Sequence, residues 1–380
     1  METKKYRFDE VTINFDKKRI PLSSAQREKR QGTFRYYGAQ GVIDHVDDYI
    51  FDGTYLLIAE DGENLKSKKQ NIAQVVDGQF WVNNHAHIVQ GNEQCDTRFL
   101  CYLINSMDLS GYVTGSAQPK LSQANLNAVT LSLPTLAEQK RIVEYLYMLD
   151  QKIDVNRQIN DNLEQQAQSY FQELFVDNAD PEWTTGTISD LGAVVGGSTP
   201  SKAKPEYYTE SGIAWITPKD LSINKSKFVS HGENDITELG LKNSSAAIMP
   251  EGTVLFSSRA PIGYIAIAAG EVTTNQGFKS VVPKPEIGTP FVYFFLKNTL
   301  PVIEGMASGS TFKEVSGSTM KNVPAVIPDA ETLAKFSDFC APIFAQQRIL
   351  EEQNQSLATL RDNLLPKLMS GEIDVPAVQL

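Results

Sequence analysis

Residues 136–175 read LAEQKRIVEYLYMLDQKIDVNRQINDNLEQQAQSYFQELF, and residues 330–369 read AETLAKFSDFCAPIFAQQRILEEQNQSLATLRDNLLPKLM. In the first stretch Ile142, Leu146, Leu149, Ile153, Leu163, Ala167, Tyr170 and Leu174 recur at alternating spacings of three and four, with Asn156 and Asn160 in the middle of the series. That spacing is the heptad seam of a helix that packs along another helix. The second stretch repeats it with Phe336, Cys340, Ile343, Leu350, Leu357, Leu364 and Leu368, interrupted by Gln347, Asn354 and Arg361. Pro134 and Pro328 precede the two helices and Ser370-Gly371 ends the second. At about 1.5 Å per residue each helix spans on the order of 60 Å. One such stripe would suit packing on an ordinary globular core. Two matched seams, with Asn160 and Asn354 at the same position where a buried Asn fixes register, predict one coiled coil. If the helices run antiparallel, the regions before them are carried to opposite ends.

The match extends outward at a fixed offset of 194 without a gap. Gly115-Ser116 aligns with Gly309-Ser310, Leu121 with Val315, Ser122 with Ser316, Leu126 with Met320, Val129 with Val323, Leu133 with Ile327 and Pro134 with Pro328. Further upstream Asp52-Gly53-Thr54-Tyr55-Leu56 resembles Glu251-Gly252-Thr253-Val254-Leu255, Asn84 falls near Asn275, and FLCYLINS (99–106) resembles FVYFFLKN (291–298). The chain is therefore written twice. The expected division is a first domain at 1–133, a helix at 134–178, a second domain at 179–327, and a helix with its tail at 328–380. Segments such as YLLIA (55–59), FWVNN (80–84), TVLFS (253–257) and YIAIA (264–268) have strand character between turn-like clusters. The fold class is α/β (α+β): two similar domains separated by two long helices packed as an antiparallel coiled coil, related by a pseudo-two-fold repeat.

A net charge of −11 is unfavourable for a chain that neutralises phosphates along its whole length. Its distribution is uneven. Residues 1–133 hold 15 basic and 16 acidic side chains and 181–327 hold 12 and 13, whereas 134–180 carry −5 and 328–380 carry −4. The acidity thus belongs to the helices, and the two domains keep room for local basic faces. No apolar run approaches the roughly 20 residues of a membrane span, and the first residues have no signal-peptide core. The expectation is a cytoplasmic protein with no membrane partner, whose three cysteines, Cys95, Cys101 and Cys340, form neither disulfide nor zinc site.

Catalytic signatures are sparse. Gly192-Ala-Val-Val-Gly196-Gly197-Ser198-Thr199 has the spacing of a phosphate loop but Ser198 where the lysine is needed, and reads as a turn. The Asn-Pro-Pro or Asp-Pro-Pro motif of an adenine methyltransferase does not occur. His85-Ala-His87 would project from one face of a strand, yet no acidic pair or Cys cluster completes a metal site, so both read as structural or polar surface residues. Glu138-x-Lys140 resembles the end of a nuclease motif, but an acidic first helical turn explains Glu138. No catalytic residue and no metal are assigned.

Recognition chemistry remains. Lys17, Lys18, Arg19, Arg27, Lys29, Arg30 and Arg35, followed by Tyr36-Tyr37, form a locally basic segment suited to phosphates and base edges. The bland alternative is a solvated charged loop. In the second domain Lys219, Arg259 and Lys279 are the corresponding candidates, with Lys225 and Lys227 beside them. Lys313 in GSTFKEV stands where the repeat places Lys120 in GSAQPKL.

Four stretches together resemble one family: YYGAQGVIDHVDDYIFDGTYLLIAEDG (36–62), LPTLAEQKRIVEYLYMLDQKID (133–154), LFSSRAPIGYIAIA (255–268) and LLPKLMSGEIDV (364–375). The chain is similar, over nearly its whole length, to the specificity subunit of type I restriction-modification systems. The resemblance implies two target-recognition domains, each binding one half of a bipartite site in double-stranded DNA. It implies helices that set the half-site spacing and dock two methyltransferase (M) subunits, with endonuclease/translocase (R) subunits added for restriction. S-adenosylmethionine, ATP and magnesium would then belong to those partners, and none to this chain. Asp329-Ala330-Glu331-Thr332 departs from the Thr135-Leu136-Ala137-Glu138-Gln139 pattern, which bears on whether both halves dock methyltransferase subunits equally. The competing readings are a self-contained DNA nuclease or modification enzyme with a divergent site, and a scaffold without DNA contact.

Overall fold

A computed structural model describes residues 2–68, 70–115, 118–309 and 313–373. It resolves into two compact units, Met1–Ile153 with Ser356–Leu380, and Asp154–Gln355. Each unit therefore contains one mixed domain together with part of both long helices.

In the first unit the strand Lys4–Arg7 pairs antiparallel with Thr130–Leu133, the strand that leads into the first long helix, Leu136–Gln172. One four-stranded sheet is antiparallel throughout, in the order Thr12–Asn14, Ala86–Gly91, Tyr55–Ala59, Ala73–Val76. The other runs Gly41–Val46, Gln31–Gly38, Gln79–Val82, Phe51–Asp52, with its central pair parallel. The helix Thr97–Ser106, capped by Asp96, packs Phe99, Leu100 and Leu103 into a core shared with Ile142, Leu146, Leu365 and Leu368 of the long helices. Burying these side chains supplies roughly 1.5–3 kcal/mol apiece.

The second unit repeats the plan. Thr184–Thr187 pairs with Pro324–Ile327, so that Thr184 opposes Ile327 as Lys4 opposes Leu133. A five-stranded sheet (Gly192–Gly196, Lys279–Pro283, Val254–Ser258, Ile262–Ala268, Phe228–Val229) accompanies a four-stranded one (Tyr208–Thr209, Asn234–Ile236, Ile213–Ile216, Thr273–Thr274). The helix Thr289–Gly305 buries Phe291 and Phe294 against Phe171, Phe336 and Phe344 of the long helices.

The repeat holds in detail. Ser122 and Ser316 cap the short helices Gln123–Asn127 and Gly317–Lys321 through the same side-chain acceptance. Gly53 and Gly252 both take positive φ ahead of equivalent strands. Thr135 and Glu138 form a capping box on the first long helix, and Asp329, at the position of Thr135, caps the second, Ala330–Ser370, by accepting from Thr332. The departure noted in sequence thus preserves the cap with a different residue.

Within each unit the two long helices run antiparallel. Asp150 meets Arg361 in the first. In the second Asn156 meets Asn354, Asn160 meets Gln347, and Phe171 meets Phe336. Residues 192–196, read above as a turn, are instead a strand paired with Lys279–Pro283. Gly197 follows because a Cβ there would lie 1.9 Å from the carbonyl oxygen of Asn275.

Candidate nucleic-acid interface

Three arginines of the first unit's basic segment are neutralised by its own fold. Arg19 turns inward, paired with Asp16 and with Glu60 at 3.0 Å, and donates to the Ala86 carbonyl at 2.7 Å. Arg27 pairs with Asp44 at 2.8 Å over the Tyr36 ring, and Arg30 pairs with Asp47 over Trp81. Arg35, which is exposed, lies over Tyr37 and donates to the Asp77 carbonyl. Tyr36 is fully buried, with its hydroxyl accepting from the Leu22 N–H, and Tyr37 is 4% exposed. Lys17, Lys18 and Lys29 remain on the surface, Lys18 beside the Phe15 ring. The pairing of Gln31–Gly38 with Gly41–Val46 explains this, because it brings the acidic run Asp44–Asp48 back onto the arginines.

A second set of residues sits on a scaffold common to both units. In the first, the Asn83 N–H donates to the Tyr37 carbonyl at 3.0 Å, and Asn83 Oδ1 accepts from the His85 N–H at 2.8 Å. Glu60 N–H donates to the His85 carbonyl, and Leu121 N–H to the Glu60 carbonyl. In the second unit the same four bonds join Asn275 to Ile216, Asn275 to Gly277, Ser258 to Gly277, and Val315 to Ser258. The isolated bridges Thr114↔Lys120 and Ser308↔Glu314 complete the correspondence.

The equivalent side chains have opposite charge. Asp61 in the first unit stands where Arg259 stands in the second, and Lys120 where Glu314 stands. His85 Nδ1 lies 2.7 Å from Asp61 Oδ2, and Lys120 pairs with Glu60 at 3.2 Å. Arg259 and Lys279 both approach Glu314, at 3.4 and 3.8 Å. Burial pushes the Lys279 ammonium down, partly offset by Glu314. Beside Arg259 opens a cleft of about 400 Å³ lined by Thr199, Lys202, Trp215, Lys219, Asn275 and Gln276 among others. Lys219 pairs with Glu233, also in the lining, at 2.5 Å. The lining offers guanidinium, ammonium and amide donors, the groups that engage phosphates and base edges.

Several sequence-based placements shift. The counterpart of Asn275 is Asn83, one residue before the expected Asn84. Glu314, and not the exposed Lys313, holds the position in its unit that Lys120 holds in the first; Ser116, Ala117 and residues 310–312 of those loops lie outside the described residues. His85 and His87 do not share a face. His85 is exposed, whereas His87 is buried, its Nδ1 2.7 Å from Asp16 and its Nε2 2.8 Å from the Leu121 carbonyl. Burial alone would raise the Asp16 carboxyl, but hydrogen bonds from His87 and Ile88, with the charge of Arg19, hold it below the ordinary range. Asn160 and Asn354 both lie in the seam without bonding each other. The fully buried Asn156, passed over as a register residue, is the partner of Asn354. Lys202, Trp215 and Gln276 carried no sequence signal, because only the fold brings them to Arg259. Among the described residues no group of three or more His, Cys, Asp or Glu is placed to hold a metal ion, and no helix is long and apolar enough to cross a membrane. The three cysteines are free thiols, pushed by burial to about 12.

Comparison with known proteins places this architecture. The solved S subunit of the type I restriction-modification system of M. genitalium has the same fold, with a TM-score of 0.55 at 16% identity over 97% of this chain and 96% of that one. The type I restriction enzyme MjaIX specificity subunit of Methanocaldococcus jannaschii is 39% identical over 191 residues, 48% of this chain and 44% of that protein. The HindI specificity subunit of Haemophilus influenzae is 24% identical over 404 aligned residues, 85% of this chain and 84% of that protein. The chain thus spans less than half of the first relative and most of the second. Residues 2–165 and 181–360 both match the type I restriction modification DNA specificity domain, so the chain belongs to the type I restriction-modification DNA specificity family.

Proposed function

We propose that this chain is the DNA-recognising subunit of a type I restriction-modification complex, with each mixed domain binding one half of a bipartite site in double-stranded DNA. The observation that carries this reading is the charge inversion on a common scaffold: Asp61, His85 and Lys120 in one unit answer to Arg259, Gly277 and Glu314 in the other. Two unlike half-sites require unlike donors and acceptors on a shared frame. Lys17, Lys18, Lys29, Arg35 and Lys120 are the DNA-facing candidates of the first domain, and Lys202, Lys219, Arg259, Lys279 and Lys313 those of the second.

The acidic long helices suit protein rather than phosphate. Each unit also exposes a large apolar side chain at a repeat-related position, Tyr145 at 37% and Phe339 at 39%. These are the proposed docking points of two methyltransferase subunits, with endonuclease subunits joining for restriction. The chain itself supplies no catalysis in this reading. S-adenosylmethionine, ATP and magnesium act on the partners, and adenine methylation takes place on host DNA in the cytoplasm.

The test is co-expression with the methyltransferase subunit, followed by single-molecule mapping of methylated adenines in the host genome. The expected result is a split motif that disappears when this chain is deleted and changes in only one half when residues 1–133 are exchanged. Methylation that persists unchanged after deletion would refute it.

A further inference from the structure

The second unit contains a buried charge cluster that DNA reading does not use. Lys227, at the start of the edge strand Phe228–Val229, is 8% exposed. Its ammonium lies 3.6 Å from the ring centroid of Phe344, 4.5 Å from Tyr293 and 5.2 Å from Phe294. It donates to Glu164 at 2.7 Å and to Gln347 Oε1 at 2.9 Å. Glu164 also accepts from Lys297 and, at 3.1 Å, from the Tyr293 hydroxyl. Glu351 accepts the backbone N–H groups of Lys227 and Phe228 at 2.7 and 3.0 Å. Glu164 belongs to the first long helix and Phe344, Gln347 and Glu351 to the second, whereas Lys227, Tyr293 and Lys297 belong to the mixed domain.

Stability does not call for such a cluster. Desolvating two ions costs several kcal/mol, and well-packed apolar residues of similar volume serve as well or better. A buried ion pair adds directional constraint, because its hydrogen bonds and the aromatic faces around the ammonium are met together at one orientation only. The first unit is joined to its helices by other residues. Asp150, which the repeat aligns with Phe344, accepts from the Tyr102 hydroxyl and from Arg361 at 2.6 Å, and Ala358 stands where the repeat would put a second Glu164.

We infer that Lys227 is a positioning residue: held between Glu164 and Gln347, it fixes the angle of the second recognition domain on its helix pair and thereby the half-site spacing that the complex accepts. The inference rests on the bipartite reading proposed above.

The experiment uses the full chain carrying Lys227→Met, co-expressed with the methyltransferase subunit, with methylated adenines mapped genome-wide. Met keeps an apolar filling of the aromatic box and loses the directional bonds. Both half-site sequences should remain unchanged, while the preference for the parental gap over gaps one base pair longer or shorter falls about tenfold, equivalent to ~1.4 kcal/mol. Simple destabilisation would instead lower methylation at all sites and leave the gap preference intact, and that result overturns the inference. Glu164→Gln, which retains an acceptor for Lys227, should relax the gap in the same direction by less, and decides the matter if Lys227→Met yields no complex. A wild-type complex that marks no split motif would remove the functional reading itself, an outcome distinct from a split motif whose gap tolerance is unmoved by either variant.

Discussion

Asn156, fully buried in the first long helix, donates its carboxamide N–H to Oδ1 of Asn354 in the second at 2.9 Å, and its own Oδ1 has no partner among the described residues. The pair is therefore satisfied on one side only. Asn354→Leu, which leaves the Asn156 donor only the longer contact to Gln353 Oε1 at 3.5 Å, should destabilise the second unit by about 1–3 kcal/mol. Replacing both with Leu should recover that loss or exceed it, at the expense of a unique register. Thermal unfolding of the two variants, with cysteine crosslinking across the helix pair to read register, checks both parts.

His87 is the polar keystone of the first unit. It bridges Asp16 and the Leu121 carbonyl at 1% side-chain exposure. His87→Leu removes one of the groups around the Asp16 carboxylate, which keeps the Ile88 N–H and Arg19, and takes the imidazole away from the buried Leu121 carbonyl; it should cost about 1–3 kcal/mol. Chemical denaturation measures the loss, and an effect below about 1 kcal/mol would contradict this role.

Acid should act on the second unit through Glu164. Burial would raise its carboxyl, but Lys227 and Lys297 hold it at about 2, well below the ordinary 4.5. Because the folded value is the lower one, the stabilisation is complete above pH 4.5 and is lost as pH falls towards about 2. Glu164→Gln should flatten the denaturant-midpoint profile in that window relative to wild type. Glu351, lifted above its ordinary value by burial, has the opposite sign. It disfavours folding as pH rises through its raised value, and Glu351→Gln should remove that decline.

The two classes of basic residue predict different defects. Arg259→Ala should cost about 1–3 kcal/mol and relax only the half-site read by the second domain. Lys17→Glu with Lys29→Glu should weaken binding to all sequences and lower the salt dependence of the affinity by about one unit per lost phosphate contact. Titration of the assembled complex on site and non-site duplexes at several salt concentrations separates them.

Tyr145→Glu and Phe339→Glu each place a charge on one exposed helix position. Each should reduce the number of methyltransferase subunits on the complex from two to one in native mass spectrometry, and the pair together should abolish assembly. Retention of both subunits by either single variant would move the docking surface elsewhere.

The long helices, their antiparallel partnership, the duplication and four of the strands could be read from the chain, because each rests on local periodicity or on similarity at a constant offset. YLLIA at 55–59 became the strand Tyr55–Ala59 unchanged. The basic run from Lys17 to Arg35 was harder to interpret, since charge says nothing about where a side chain points. A hairpin returning Asp44 and Asp47 to Arg27 and Arg30 turned those two arginines into internal ion pairs, while Lys17, Lys18, Lys29 and Arg35 stayed exposed.

What the sequence by itself determined is the frame: two copies of one fold, two heptad seams, and membership of a family. Those features depend on spacings along the chain, which folding preserves. Only the tertiary structure decided the functional chemistry. The meeting of Arg259 with Glu314, of His85 with Asp61 and of Lys227 with Glu164 joins residues 24 to 63 positions apart. Such contacts depend on loop closure and strand register, and a one-residue change of register, like that separating Asn83 from Asn84, turns a side chain to the other face.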